Sequence, residues 1–407
     1  MRLRSAPLHP LSGAARAAAL GLLSLPLCAL PAPAEPLRIA TFSPDLGRRG
    51  PGLLYRDMLG GKDAQIAAVV AVIARADPDL LLLTGIDWDY DNLALKELAR
   101  QLSAAGAGYP HLYASRPNSG MDSGLDLDQN GRLGTADDAQ GFGFFTGQDG
   151  MAVLSRHPLG PVTDYSAFLW RDLEGNLMPP APPEIAAAQR LSSVAHWDLP
   201  VEIAGRSLHL LAYSATPPVF DGPEDRNGRR NHDETAFWQD RLPEAPFVLL
   251  GNANLDINDS EGRPEALAAL LSTLQDPLPQ SAGGKAYPQN GANSRHKGDP
   301  ALDTANWPAA DGPGNMRVDY VLPAQSLRIL DAGVLWPDPQ DDFAKTVEAA
   351  SRHRLVWVNL DWPPTTAPTT ELRTEEENGP EGGVKKMPPL PETADGGGTG
   401  KGRAAVP

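Results

Sequence analysis

Between two glycine-rich segments (120–124 and 141–147) the sequence reads Asp126-Leu127-Asp128-Gln129-Asn130-Gly131, with Asp137 shortly after. Oxygen side chains at alternate positions, a glycine in sixth place and a carboxylate in twelfth match the spacing of a calcium-binding loop. A hard divalent cation takes about six to eight oxygens, and a tight turn must bring them together. Asp126, Asp128 and Asn130 converge as ligands, Gly131 permits the sharp bend, Arg132 offers its backbone carbonyl, and Asp137 closes the shell. Asp in the last place is a shorter arm than Glu and favours a tighter or weaker site. No helical pattern flanks the loop. It therefore reads as a lone structural Ca2+ loop that pins a long connection, against the plainer alternative of an acidic turn in water.

Chemistry needs elements to position it, and the remaining sequence supplies short apolar runs bounded by turn residues. A first strand is expected over 37–42. A helix follows over 63–75, with Ile66, Val69, Val70 and Ile73 at helical spacing and Asp63 as N-cap. Asp77-Pro78-Asp79 punctuates, and the four leucines 80–83 read as a strand buried on both faces. A second amphipathic helix is expected over 92–104. Further strands are expected over 151–154, 208–212, 247–250, 318–322 and 355–360. Several end in polar residues, which is where sites collect in mixed α/β folds. No internal repeat is visible. Trp88, Trp170 and Trp197 read as core or rim residues.

Charge and composition narrow the function. The 407 residues carry 35 basic and 51 acidic side chains, a formal charge of −16. Such a surface repels phosphate backbones and excludes non-specific nucleic-acid binding through a basic face. No apolar run reaches membrane-spanning length. The N-terminus reads as a secretory signal: Arg2, Arg4 and Arg16 precede a short apolar stretch over 17–30, and Ala32-Pro33-Ala34 is a cleavage-type site. Residues 1–34 are then lost and the mature chain starts at Glu35, with Cys28 removed and the charge at −19. Leu27 before Cys28 argues against lipoprotein processing. The expected destination is periplasmic or extracellular. Residues 363–407 are rich in Pro, Thr, Glu and Gly and poor in large apolar side chains, so they read as a disordered tail. A single domain is left over 35–362.

Six segments of that domain, in order, carry a resemblance. They are Arg38-Ile39-Ala40-Thr41-Phe42-Ser43, Asp77-Pro78-Asp79, Gly150-Met151-Ala152-Val153-Leu154-Ser155-Arg156, Gly251-Asn252-Ala253-Asn254, Arg317-Val318-Asp319-Tyr320-Val321 and Ser351-Arg352-His353. In this order they resemble the endonuclease/exonuclease/phosphatase superfamily. The resemblance implies a four-layer α/β/β/α sandwich of two mostly antiparallel sheets with helices outside. It also implies metal-dependent phosphoester hydrolysis, in which a Glu holds Mg2+ or Mn2+, an Asp orients or deprotonates water, and two His stabilise the phosphoryl charge.

Carried over position by position, Asn254, Asp319 and His353 match this pattern. Ser43 stands for the first-strand Asn, Gly85 for the metal-binding Glu, Ser214 for the first His, Asn252 for the Asp and Arg352 for the acid before the last His. Gly85 offers no ligand, Asn252 cannot take a proton from water and Ser214 cannot supply an imidazolium. Magnesium or manganese at this position lacks its principal ligand. The resemblance therefore implies a degenerate site that binds a small anionic or phosphorylated ligand through Arg352, His353 and Arg317. An active secreted phosphoesterase would need replacement groups. Candidates are Asp87, Asp89, Asp91 and Asp256, and the polar run 220–234, where His232 with Asp233 or Glu234 could bind a metal and Arg229 and Arg230 could clamp phosphate. The alternative for that run is a self-bridged loop with a helix starting near Asn231. A third reading is an envelope interaction protein that works through its tail.

Overall fold

The computed structural model describes residues 36–363. The expected signal segment, and the expected tail apart from Pro363, lie outside these residues. The strands in chain order are β1 (Leu37–Phe42), β2 (Leu80–Ile86), β3 (His111–Tyr113), β4 (Gly150–Ser155), β5 (Thr163–Asp164), β6 (His196–Ile203), β7 (Arg206–Ser214), β8 (Phe247–Asn252), β9 (Ala305–Asn306), β10 (Asn315–Met316), β11 (Asp319–Pro323), β12 (Ile329–Val334) and β13 (Val356–Leu360). The helices are α1 (Leu53–Gly60), α2 (Ala64–Ala76), α3 (Leu93–Ala104), α4 (Pro183–Ala188), α5 (Arg226–Ala236), α6 (Glu265–Thr273), α7 (Ala282–Ala286) and α8 (Ala344–Ala350).

Two sheets form the body. One has the order β12-β13-β1-β2-β4-β3 and the other β11-β8-β7-β6-β5. Each is antiparallel except for one central parallel pair, β1 with β2 and β7 with β8. The β2 leucines explain the layering. Leu80 and Leu82 face the second sheet, packed with Trp197, Leu208 and Val248. Leu81 and Leu83 face the opposite way, onto helices α1, α2, α3 and α8 through Met58, Val69, Leu98 and Val347. Because strand side chains alternate, a strand covered on both faces must be apolar throughout. On the second sheet, Leu267 and Leu270 of α6 join the same core, with Phe237 and Trp238 after α5. The mixed α/β sandwich expected from the sequence is the fold observed.

Local capping follows the sequence at α2, where Asp63 accepts hydrogen bonds from the amides of Gln65 (2.9 Å) and Ile66 (3.1 Å). At α3 the cap is Asp89, which accepts from Leu93 (2.7 Å) and Ala94 (2.9 Å), while Asn92 sits in the left-handed region. Helix α5 begins at Arg226, well before Asn231 where a start was expected. Strand β6, not expected from the sequence, carries Pro200, which masks its pattern but is accommodated between β5 and β7. Among the described residues no helix is long and apolar enough to cross a membrane.

Candidate active site and metal loop

The ends of the central strands of both sheets meet at one cleft of about 1430 Å³. Ser43 follows β1, Gly85 lies in β2, Ser214 ends β7 and Asn252 ends β8, and all four line it with Asn254, Arg352 and His353. Strand register makes this inevitable, because Asn252 is the partner of both Ser214 and Asp319. Asp319 lies beneath the cleft, fully buried, and its Oδ2 is 2.8 Å from Nδ1 of His353. The Thr304 hydroxyl also donates to Oδ2 (3.1 Å) and accepts from the amides of Val318 and Asp319. The other carboxylate oxygen of Asp319 is buried without a hydrogen-bond partner. Burial alone would lower the His353 pKa, but the Asp319 carboxylate outweighs it and holds the imidazole above its ordinary value. Ser351 completes the frame: its hydroxyl donates to the Ser43 carbonyl (2.6 Å) and accepts from the His353 amide (3.0 Å).

Asn252 accepts from the backbone amide of Asn254 (2.7 Å), whose side-chain amide donates to the Ala215 carbonyl (2.7 Å). Arg352 is mostly exposed and reaches Asp45, with Nε 3.3 Å from Oδ2. Asp45 and Asp149 line the same cleft and were not anticipated from the sequence. The polar residue just past a strand was the available signal for Asp45, and the position before Gly150 was the signal for Asp149. Burial raises the Asp149 pKa.

Several candidates fall elsewhere. Arg317 does not line the cleft: it makes a bidentate pair with Asp276 (2.8 and 2.6 Å) and stacks over Tyr320. Arg229 is turned onto the Glu224 carbonyl (3.0 Å) and His232 onto Asp233 (2.9 Å), and neither lines the cleft. Arg230 is buried against the carbonyls of Leu191 (2.8 Å), Arg190 (3.0 Å) and Ser192 (3.1 Å). Glu234, also buried, accepts from the amides of Ser193 (2.5 Å) and Thr216 (2.7 Å). Within the run 220–234, Phe220 lines the cleft, while the α5 part from Arg226 onward stands behind it. Arg230, Asp233 and Glu234 are taken up by backbone groups that would otherwise be buried unpaired.

The acids near Gly85 do not replace a ligand either. Asp87 accepts from the amides of Arg48 (2.8 Å) and Asp149 (3.1 Å), and burial pushes its pKa up to about 6. Asp89 caps α3, and Asp91 is exposed. Asp256 accepts from the amides of Asn258 and Arg317 (2.8 Å each).

In the acidic loop, ligand atoms of Asp126, Asp128 and Asp138 lie within 4.8 Å of one another, the one such group among the described residues. The third carboxylate is Asp138, not Asp137. A short 3-10 turn over Ala136–Asp138, capped by Thr135, leaves Asp137 exposed and turns Asp138 inward to accept from Leu127 (2.9 Å). Asp126 accepts from the amides of Asn130 (3.0 Å) and Gly131 (2.8 Å), and the Asn130 side chain accepts from Arg132 (2.8 Å). These bonds hold the bend that the sequence pattern implied.

Residues 58–353 match the Endonuclease/Exonuclease/phosphatase family. The chain belongs to this family. No curated protein matches it. Among solved structures, an endonuclease/exonuclease/phosphatase from Beutenbergia cavernae DSM 12333 is 18% identical, covering 80% of this chain and 72% of its own, with a TM-score of 0.49. Sphingomyelinase C from Streptomyces griseocarneus is 13% identical over 80% and 99%, with a TM-score of 0.44. An AP endonuclease from Archaeoglobus fulgidus is 14% identical over 80% and 99%, with a TM-score of 0.43.

The family is generally dependent on a divalent metal, and the residue expected from the resemblance to stand at its ligand position, Gly85, offers no side chain to one. Gly85 sits at φ +69°, where the β2–β4 ladder slips register, and its carbonyl is taken by the Leu46 amide. A Cβ there would lie 3.2 Å from the Ser43 hydroxyl. A left-handed glycine in a shifted register therefore stands at this point of the cleft and offers no side-chain ligand. Arg352 adds a positive charge to the same cleft.

Proposed function

We propose that this chain is an exported family member with impaired hydrolysis, whose cleft binds a small anionic or phosphorylated ligand. The observation that carries the reading is the left-handed Gly85 bulge where a metal-binding carboxylate belongs, with Arg352 in place of the neighbouring acid. Removing one catalytic donor typically costs about 10²–10³ in rate, and groups that act as a unit fail together. The His353–Asp319 pair still presents an oriented imidazole, and Arg352 supplies a guanidinium suited to oxyanions. Calcium at Asp126, Asp128 and Asp138 would be structural and would fix the loop between β3 and β4.

A panel of phosphodiesters and phosphomonoesters, each with Ca2+, Mg2+ or Mn2+, tests the reading. Rates at the level of the uncatalysed reaction are expected. Turnover that disappears in His353→Ala would refute it and favour an active phosphoesterase, whose starting point would be the same His353–Asp319 pair.

A further inference from the structure

We infer that the ligand of this cleft is a single amphiphilic anion, with its charged head at Arg352 and His353 and its apolar body against a rim of phenylalanines. The inference rests on the anion-binding reading above and names the class of ligand.

Three phenylalanines stand in water at this one cleft: Phe142 is 58% exposed, Phe144 76% and Phe220 91%. Phe142 and Phe220 line the cleft, and Phe144 meets Phe142 edge to face with ring centroids 5.5 Å apart. A lone exposed apolar side chain is ordinary, but a group of large ones around a concave site marks a binding surface.

The rings are held outward by the backbone. In Gly141-Phe142-Gly143-Phe144, a Cβ at Gly141 would lie 1.7 Å from the Ser193 carbonyl oxygen, and one at Gly143 would lie 2.6 Å from the Gly120 nitrogen. Only glycine fits against those walls, so the alternation turns both rings to the open side. Phe220 has φ +68°, a conformation bulky residues rarely adopt, and it keeps this while its ring is almost wholly in water. Folding alone would not select that arrangement, whereas binding gains from rings fixed in place beforehand.

The same cleft is lined by the apolar side chains of Pro218, Val219, Met316 and Trp307, and the Trp307 ring centroid is 5.3 Å from that of His353. The apolar and charged ends thus meet within one cavity, which at about 1430 Å³ is far larger than a bare phosphate needs. Arg49 and Lys297 line it and form no ion pair among the described residues. Among the carboxylates that line it, Asp63 pairs with Arg48, Asp45 with Arg352, Asp259 accepts from the amides of Lys297 and Gly298 and Asp149 accepts from Gln148, while Glu261 forms no ion pair among the described residues. In a chain of charge −16, Arg49 and Lys297 beside Arg352 and His353 give this cleft a cationic side suited to an anionic head.

Calorimetric titration of the full chain with inorganic phosphate, dodecyl phosphate below its micelle concentration, dodecyl maltoside, and phosphatidylcholine vesicles doped with phosphatidic acid tests this. Dodecyl phosphate is expected to bind about tenfold or more tighter than phosphate. The triple variant Phe142→Ser, Phe144→Ser, Phe220→Ser should lose that advantage and keep its phosphate affinity, and Arg352→Ala should weaken both ligands. The three rings are exposed, so an unchanged unfolding midpoint verifies that the triple variant folds. Equal affinities for phosphate and dodecyl phosphate, or an advantage that survives the triple variant, would overturn the inference and leave the anion site standing. Dodecyl maltoside binding as tightly as dodecyl phosphate, or binding to vesicles alone, would also overturn it. Failure of phosphate and dodecyl phosphate alike would sink the anion-binding reading itself.

Discussion

Two residues in the cleft carry separable energetic consequences. Gly85 holds φ +69°, so a side chain there is strained whatever space surrounds it. Gly85→Ala should lower stability by about 1 kcal/mol, read by urea unfolding, although the new methyl group is small. For the same reason Gly85→Glu alone should restore no hydrolysis. His353 carries the other consequence. Its folded pKa lies above its unfolded one, because Asp319 outweighs burial. The folded state therefore holds the proton more tightly, and the stabilisation is complete below the unfolded value of about 6.5. It fades as pH rises through the folded value. Unfolding curves for the parent and His353→Gln should thus differ most on the acid side and converge toward alkaline pH. A difference that grows with pH would contradict the assignment.

Among the elements, α5 is the one whose role departs furthest from its sequence. Its Arg230, Asp233 and Glu234 face inward, where Arg230 ties carbonyls and Glu234 ties the amides of Ser193 and Thr216 on the cleft wall. Glu234→Ala leaves two amides unpaired at a cost of about 1–3 kcal/mol each. Hydrogen exchange should accelerate at Ser193 and Thr216 before the sheets open, and uniform acceleration would argue for a global effect instead. The acidic loop makes a second element-scale prediction. It is closed at its base by bridges between Ser119 and Gly141 and between Asp122 and Ala139, and Gly141 leads directly into Phe142. With calcium at 100 times its dissociation constant, the folded chain should gain about 2.7 kcal/mol. That gain, read as a rise in melting temperature, should vanish in Asp138→Asn and persist in Asp137→Asn. The reverse order would restore Asp137 as the closing ligand.

For the molecule as a whole, net charge and topology divide the explanation. A charge of −16 predicts no saturable binding to duplex DNA at about 150 mM salt in a mobility-shift assay, despite the family name. Much of the fold was legible in one dimension. The four leucines of β2 announced a strand buried on both faces, Asp63 announced a helix start, and the ordered motifs from Arg38 to His353 announced the family. The cleft positions were legible as motif positions too, because each follows or ends a strand whose register is fixed by apolar alternation. What sequence spacing could not reveal was side-chain direction. Arg317 stands two residues from the retained Asp319 and Arg352 one from the retained His353, yet the first is locked onto Asp276 and the second opens into the cleft. Asp137 and Asp138 differ by one step, and a capped turn decides which points inward. The sequence by itself determined which faces must be buried, because apolar periodicity and net charge are properties of the chain. Only the tertiary structure decided which polar groups remain free, since each was claimed or released by backbone atoms distant in sequence that folding brought within hydrogen-bond reach.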